Sequence, residues 1–504
     1  MHTSQLCRTN TCEILDRRTF LKLIGTGAAA GLLPDVAKAF AQRGERPPNI
    51  VLVLVDDLGW TDLACYGSRY YETPNIDRLA TQGMRFTNAY AACAVCSPTR
   101  AAVMTGRYPA RVGVTDWIRA RFQGGHVLKP DEKLPDYIPN YDGPTRKLLC
   151  PRNPFWMELS EWTIAEALHE AGYRSCHIGK WHLGMDDWYP DKQGYDVNIG
   201  GCDMGHPPGY FDPYHNKHQG HIPTLKPRRK GEYLTDREAD EAVRFIHNHC
   251  DQPFFLCLAH YAVHTPLQGK NTLVDKYRAK TKTNQKNAKY AAMVQSVDEA
   301  TGRVMATLDE LRLADNTIII FTSDNGGLIG ATSNTPLRDG KGTPYEGGIR
   351  VPAIIRWPGV VDPGSVCDVP ITSVDYFPTA LAATGLKAPP TLPIDGENLM
   401  PLLTQSGTLH RDAIYWHFPH YRGRKDPVVP YSIIRAGDWK LIKRYEDREF
   451  ELFNLKNDLG EKKDLATEMP EKVKDLDARL SNWLKTVNAK LPKPNPDDKT
   501  QPLE

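Results

Sequence analysis

The chain has 504 residues, with 63 Lys and Arg against 61 Asp and Glu, a formal charge of +2. Hydrophobic residues make up 40% and charged residues 25%, the balance of an ordinary globular protein. This excludes a disordered chain, a multi-span membrane protein and a nucleic-acid binder that works by bulk positive charge.

The first forty residues read as an address. Arg17 and Arg18 precede an apolar run, Leu23 to Leu33, and then Ala37-Lys38-Ala39, an Ala-x-Ala cleavage pattern. The run is too short to be a permanent anchor. Residues 1–39 therefore resemble a bacterial twin-arginine export signal. That implies the twin-arginine export machinery as a partner, a periplasmic or secreted location and no stable membrane anchor. Five basic and three acidic residues would leave with the signal, and the remainder would balance at zero. Cysteines would fall from 11 to 9, an odd number that asks which one is special.

Next, Asn49 to Val55 (NIVLVLV) is an apolar run of strand length, suited to burial on both faces, and it ends in Asp56-Asp57. The patterns predict a short helix over 75–81. A second is predicted over 97–105, with Pro98 in its first turn and Gly106 past its end. The stretch 119–155 reads as loop. An amphipathic segment over 161–171 leads to a strand over 173–178 and then Lys180. A helix over 236–248 precedes a strand over 254–261, followed closely by His264. A long helix over 287–311 precedes a strand over 317–322, ending in Ser323-Asp324-Asn325. One more strand is predicted over 351–357. Strands alternating with helices predict an α/β domain over 46–405, a large mostly parallel sheet flanked by helices. Ligands in such sheets sit beyond the carboxyl ends of the strands. From 406 onward, short strands over 413–418, 431–435, 439–444 and 450–454 predict a smaller antiparallel subdomain. A helix over 471–484 and a tail complete it.

Residues 93–107 carry the chemistry. Cys96 begins a helix, whose N-terminus lowers a thiol pKa and favours anions. Arg100 follows one turn along on the same face. A nucleophile beside an arginine at a helix start makes an oxyanion site. Cys93-x-x-Cys96 also reads as a redox pair, half a zinc site, or plain core cysteines, though no second CxxC exists to complete zinc. Asp56, Asp57, Asp324 and Asn325 are hard oxygen donors, suited to Ca²⁺ or Mg²⁺.

Cys96-Ser97-Pro98-Thr99-Arg100, followed by Met104-Thr105-Gly106-Arg107, resembles the signature of the type I sulfatases, in the alkaline phosphatase superfamily. The likeness continues through Val55 to Trp60, Thr73 to Asp77, Gly179 to Gly184, Val263 to Pro266, Ser323 to Gly327 and Gly340 to Thr343. The pattern is similar to bacterial arylsulfatase A and N-acetylgalactosamine- or galactose-sulfatase relatives. The resemblance implies an alkaline phosphatase-like fold and a sulfuric ester hydrolase. It implies that Cys96 is oxidised to formylglycine in the cytoplasm, by a formylglycine-generating or radical maturase that reads Pro98 and Arg100. One Ca²⁺ would be held by Asp56, Asp57, residue 96, Asp324 and Asn325. One hydroxyl of the hydrated aldehyde would attack sulfur, leaving a sulfated enzyme. His182 would take the proton of the other, and Lys180 and Arg100 would hold residue 96. His264 would protonate the leaving group while Lys341 binds the sulfate. The odd cysteine is then Cys96, leaving eight.

The expected substrate is a sulfated carbohydrate or aryl sulfate, with a galactose- or N-acetylgalactosamine-type glycan favoured. Candidate contacts are Asp116, Trp117, Arg119, His206 and His420, with Arg121, His215, His218 and His417 nearby in the pattern. Two alternatives remain: a phosphate or phosphonate monoester hydrolase of the same superfamily, and a non-catalytic glycan-binding homologue. Asn325, rather than histidine, beside Asp324 favours calcium and sulfate.

Overall fold

A computed structural model describes residues 46–139, 145–423, 428–447 and 449–498, so the expected export signal lies outside the described residues. The large sheet contains β1 (Asn49–Val55), β2 (Met84–Phe86), β3 (Arg174–Gly179), β4 (Val197–Ile199), β5 (Phe254–Ala259), β6 (Thr317–Ser323), β7 (Ala353–Arg356) and β8 (Ser365–Cys367). Their spatial order is β8-β2-β7-β6-β1-β5-β3-β4. The apolar run of β1 is buried at every position because it lies at mid-sheet with both faces covered. Val51, Val53 and Val55 join one core, and Ile50, Leu52 and Leu54 join the other.

Helices α1 (Pro74–Gln82), α2 (Cys96–Thr105), α3 (Ile164–Glu170), α4 (Leu234–Asn248), α5 (Ala288–Glu310) and α6 (Tyr376–Thr384) supply those covers. The first core takes α1, α4 and α5, and the second takes α2, α3 and α6. Strands β6, β1, β5, β3 and β4 run parallel. The expected strand over 351–357 pairs antiparallel to β6, and β2 pairs antiparallel to it in turn, so the sheet is mixed. Between β6 and β7 the only helix is Glu346–Ile349, too short to make the crossover that a parallel return requires.

The C-terminal meander is β9 (Ala413–Phe418), β10 (Tyr431–Ala436), β11 (Trp439–Arg444) and β12 (Phe450–Asn454), all antiparallel, with α7 (Pro470–Thr486) against it. The stretch predicted as loop over 119–155 is more ordered. Strands Tyr137–Ile138 and Leu148–Pro151 pair there, and Lys493–Pro494 joins the edge. None of the nine described cysteines is paired. Among the described residues no helix is long and apolar enough to cross a membrane.

Segment 90–108 is gripped between the two sheets. Ala92, Ala102 and Tyr108 pack with Ile434, Leu441, Leu480 and Trp483. Tyr90, Cys93 and Val95 pack with Trp416, Ile433 and Phe453. All ten residues of α2 are consequently buried. A charge cluster pins the same interface. Lys440 Nζ lies 3.0 Å from Glu346 Oε1 and 2.7 Å from Glu461 Oε1, with all three side chains inaccessible to solvent. Tyr90 donates to Glu346 Oε2 at 2.7 Å. Removing one partner from such a cluster leaves buried charge uncompensated, at a cost of about 3–5 kcal/mol. Lys440→Met is expected to lose that much in urea unfolding, and an unchanged midpoint would show that the cluster does not hold the subdomains together.

Candidate active site

Four neighbouring parallel strands deliver their carboxyl ends to one rim. β1 leads to Asp56 and Asp57, β6 to Asp324 and Asn325, β3 to Lys180 and His182, and β5 to His264. From the far side, α2 presents Cys96 at its first position, and the loop after β6 presents Lys341. Asp57 and His182 both adopt the left-handed backbone conformation, with φ of 60°. That is uncommon for residues with a Cβ and persists where surroundings over-determine it. Here Asp57 N donates to Asp324 Oδ1 at 3.2 Å, and His182 N to the Cys202 carbonyl at 2.9 Å. Ser97 Oγ donates to the His182 carbonyl and accepts from Ile118 N, both at 2.9 Å, which ties the first turn of α2 to the rim.

Each carboxylate meets a buried cation. Lys180 Nζ lies 2.7 Å from Asp56 Oδ2, Lys341 Nζ 2.6 Å from Asp57 Oδ1, and Arg100 NH2 2.8 Å from Asp324 Oδ2. Arg100 also donates to the Lys180 carbonyl at 2.7 Å, so it braces the loop after β3. Lys341 Nζ further approaches Cys96 Sγ at 3.5 Å. Burial and the Asp324 charge push the Asp56 carboxyl well above the usual range, against Lys180. Burial also opposes ionisation of Asp57, but Lys341 and His264 outweigh it and hold that carboxyl low.

Among the described residues, three buried oxygens in this cluster find no hydrogen-bond partner: Asp56 Oδ1, Asp57 Oδ2, which has His264 Nε2 at 3.6 Å, and Asn325 Oδ1. Asn325 turns its amide nitrogen to Asp57 Oδ1 at 2.8 Å, which leaves its oxygen for something else. Ligand atoms of Asp56, Asp57, Cys96 and His264 lie within 4.8 Å of one another. Orphaned buried oxygens are costly, and a hard divalent cation answers them. The donor set therefore fits Ca²⁺ or Mg²⁺. Both oxygens of Asp324 are already engaged, Oδ1 by Asp57 N and Oδ2 by Arg100.

Burial pushes the Cys96 thiol up, against the pull of Lys180 and Lys341. This corrects the expectation that the helix N-terminus lowers it. Desolvation of a side chain only 4% exposed outweighs the helix dipole, and an unmodified Cys96 is a poor nucleophile. Burial and then Lys180 hold His182 well below an ordinary imidazole, and burial and then Lys341 do the same to His264. His182 is neutral at pH 7, and its Nε2 faces the Ile118 carbonyl at 2.7 Å. A carbonyl accepts only, so Nε2 carries the hydrogen and Nδ1 keeps a lone pair, buried and without a partner.

A pocket of about 170 Å³ opens over these groups, walled by Cys96, Trp117, Gln123, His182, His206, His264, Lys341 and Arg422. Two of the five candidate substrate contacts, Trp117 and His206, are in that wall. The His206 ring stacks on His264, with centroids 5.6 Å apart and planes 6° apart. Arg119 is not part of that lining, and its guanidinium lies 5.5 Å from the centroid of the Trp117 ring. Asp116 sits inside its own loop, accepting from Trp117 N at 2.8 Å. His420 is buried and bonded to Thr115 Oγ1 at 2.8 Å. His417 is held by Ser432 and the Lys490 carbonyl, Arg121 pairs with Asp186, and His215 is exposed on the short strand His215–Asn216. Gln123 and Arg422 escaped the sequence reading. Arg422 comes from the C-terminal subdomain, far along the chain from the other groups.

A sulfatase family model matches residues 48–386, and a model described as the C-terminal part of N-sulphoglucosamine sulphohydrolase matches residues 340–490. The chain belongs to the sulfatase family. It is 33% identical to a sulfatase of Formosa agariphila, over 88% of this chain and 89% of that one. It is 36% identical to human N-acetylgalactosamine-6-sulfatase, over 81% and 74%. Among solved structures, Ps i-CgsB in complex with k-i-k-neocarrahexaose superposes with a TM-score of 0.72 at 31% identity, over 87% of this chain and 93% of that one. This sulfatase is thus a sulfuric ester hydrolase on an α/β scaffold shared with its relatives.

Calcium added to the metal-stripped protein is expected to raise the thermal midpoint by about 2 °C or more. Asn325→Leu, which removes one orphaned oxygen, is expected to abolish that rise. A rise that survives in the variant would place the cation elsewhere.

Proposed function

We propose that this sulfatase removes sulfate from a galactose- or N-acetylgalactosamine-type glycan, with residue 96 acting as a hydrated formylglycine. One observation carries the reading. Residue 96, a neutral His182 with a free Nδ1, His264 and Lys341 converge in one small pocket beside a cluster of orphaned oxygens. Cys96 Sγ stands where a hydroxyl of the modified residue would be. A sulfate ester is a stable anion, so its cleavage requires charge stabilisation, a nucleophile and a proton for the leaving oxygen.

Lys341, already 3.5 Å from the atom at 96, places an ammonium against the sulfuryl oxygens. Bound calcium would act there as a Lewis acid. One hydroxyl of residue 96 attacks sulfur, its proton passing to His264, and the bond from sulfur to the sugar oxygen breaks. His264, once protonated, is a strong acid because burial and Lys341 disfavour its charge, and it gives its proton to that oxygen. His182 Nδ1 then accepts the proton of the second hydroxyl, sulfate departs and the aldehyde returns. Lys180 and Arg100 act on residue 96 by fixing Asp56 and the rim loop. A glycan substrate is supported by a relative named for N-acetylgalactosamine-6-sulfate and by another bound to k-i-k-neocarrahexaose.

We also infer twin-arginine export from Arg17 and Arg18, with a maturase acting on Cys96 beforehand. Replacing both arginines by lysine is expected to leave the protein in the cytoplasmic fraction, and normal export of that variant would refute the route.

For the chemistry, Cys96→Ala is expected to abolish turnover of N-acetylgalactosamine 6-sulfate while preserving the fold, and His182→Ala to slow turnover at least about 100-fold. Mass spectrometry of the Cys96 peptide from active protein should show loss of sulfur and a carbonyl-reactive product. An unmodified thiol in active protein would sink the mechanism. Faster turnover of a matched phosphate ester would favour the phosphomonoesterase alternative.

A further inference from the structure

Arg422 is the one permanently charged side chain of the pocket wall that the proposed chemistry leaves unused. It belongs to the C-terminal subdomain, just beyond β9, where its backbone pairs with Val428. Its guanidinium is half-buried, yet among the described residues it makes no hydrogen bond or ion pair. Every other cation at this site is matched: Lys180 to Asp56, Lys341 to Asp57, Arg100 to Asp324. Asp116 shares the surroundings of Arg422 around Cys93 and Tyr431 and accepts from the backbone N–H of Trp117.

The side chain is also placed with care. It lies directly on Gly342, the residue after Lys341. A Cβ at that glycine would stand 2.1 Å from Arg422 Nε and 2.4 Å from its Cδ. Gly342 has a φ of 87°, which suits glycine, and only a residue without a side chain lets the arginine cross here. The charge of Arg422 reaches Lys341 and works against protonation of that ammonium. Two cations are thus brought to one small pocket, and among the described residues only Lys341 is paired with a carboxylate. A planar guanidinium held open in a half-buried wall is built to receive an anion in a two-bond fork.

We propose that Arg422 recognises a second anionic group of the substrate, next to the sulfate that is cleaved. The substrate is then at least doubly charged. Either a further sulfate ester or the carboxylate of a neighbouring uronic acid supplies the second charge. Arg422 is a specificity-determining residue, supplied by the C-terminal subdomain to a site built on the large sheet. This assignment rests on the sulfatase reading above.

The test compares three probes: N-acetylgalactosamine 6-sulfate, its 4,6-disulfate, and the 6-sulfate joined to glucuronate. Binding to the Cys96→Ala protein is measured by calorimetry, which needs no turnover. Turnover is measured as kcat/KM on the modified enzyme. One doubly charged probe is expected to bind about 10- to 100-fold tighter than the singly charged one. Which of the two does so identifies the second anion as sulfate or carboxylate. Arg422→Gln should bring the preference close to unity, in binding and in kcat/KM alike, and Arg422→Lys should restore part of it. Equal binding of all three probes, or a preference that survives Arg422→Gln, would overturn the assignment. Preference in binding without any turnover would instead overturn the sulfatase chemistry and leave the role of Arg422 standing.

Discussion

Three carboxylates stand at the ends of adjacent parallel strands, and each is matched by a buried cation from a different part of the chain. Asp56 meets Lys180 from β3, Asp57 meets Lys341 from the loop after β6, and Asp324 meets Arg100 from α2. Breaking any one pair strands a charge away from water. The pairs therefore fix the relative positions of β1, β3, β6 and α2 more sharply than apolar packing, which tolerates repacking of similar volumes. Among the described residues they also leave one oxygen on Asp56, one on Asp57 and one on Asn325 without a hydrogen-bond partner, so the same constraint that orders the rim shapes a place for a cation.

Much of this was legible in the sequence. β1 and β6 announced themselves as apolar runs ending in acids, because a mid-sheet strand is buried on both faces and its polar residues collect where it leaves the sheet. The signature segment placed α2 to within a residue. What periodicity missed was direction. β7 reads as an apolar strand whichever way it runs, and only the lack of a crossover helix before it makes it antiparallel. The thiol of Cys96 was misjudged for a related reason. A helix N-terminus is visible in sequence, whereas burial between two sheets is a tertiary fact, and it outweighs the dipole.

The pocket wall was the least legible part. His420 and Arg422 sit two residues apart, but one is folded into Thr115 and the other opens onto Lys341. No spacing rule separates them. The Gly340-Lys341-Gly342 block carried a usable signal, since glycines flanking a functional lysine often mark a close approach by another group. Here the group is Arg422. The C-terminal meander thus completes the site as well as covering the core.

The burial of α2 has a consequence for timing. Cys96, Pro98 and Arg100 are enclosed by the large sheet on one side and the C-terminal sheet on the other. An enzyme that must read those side chains cannot reach them in the finished protein. The C-terminal sheet follows α2 by about 300 residues in the chain, so its docking closes the window. Under the proposed maturation, residue 96 would be changed before that docking. A molecule that folded with Cys96 unmodified would then keep it so, and only unfolding would expose the segment again.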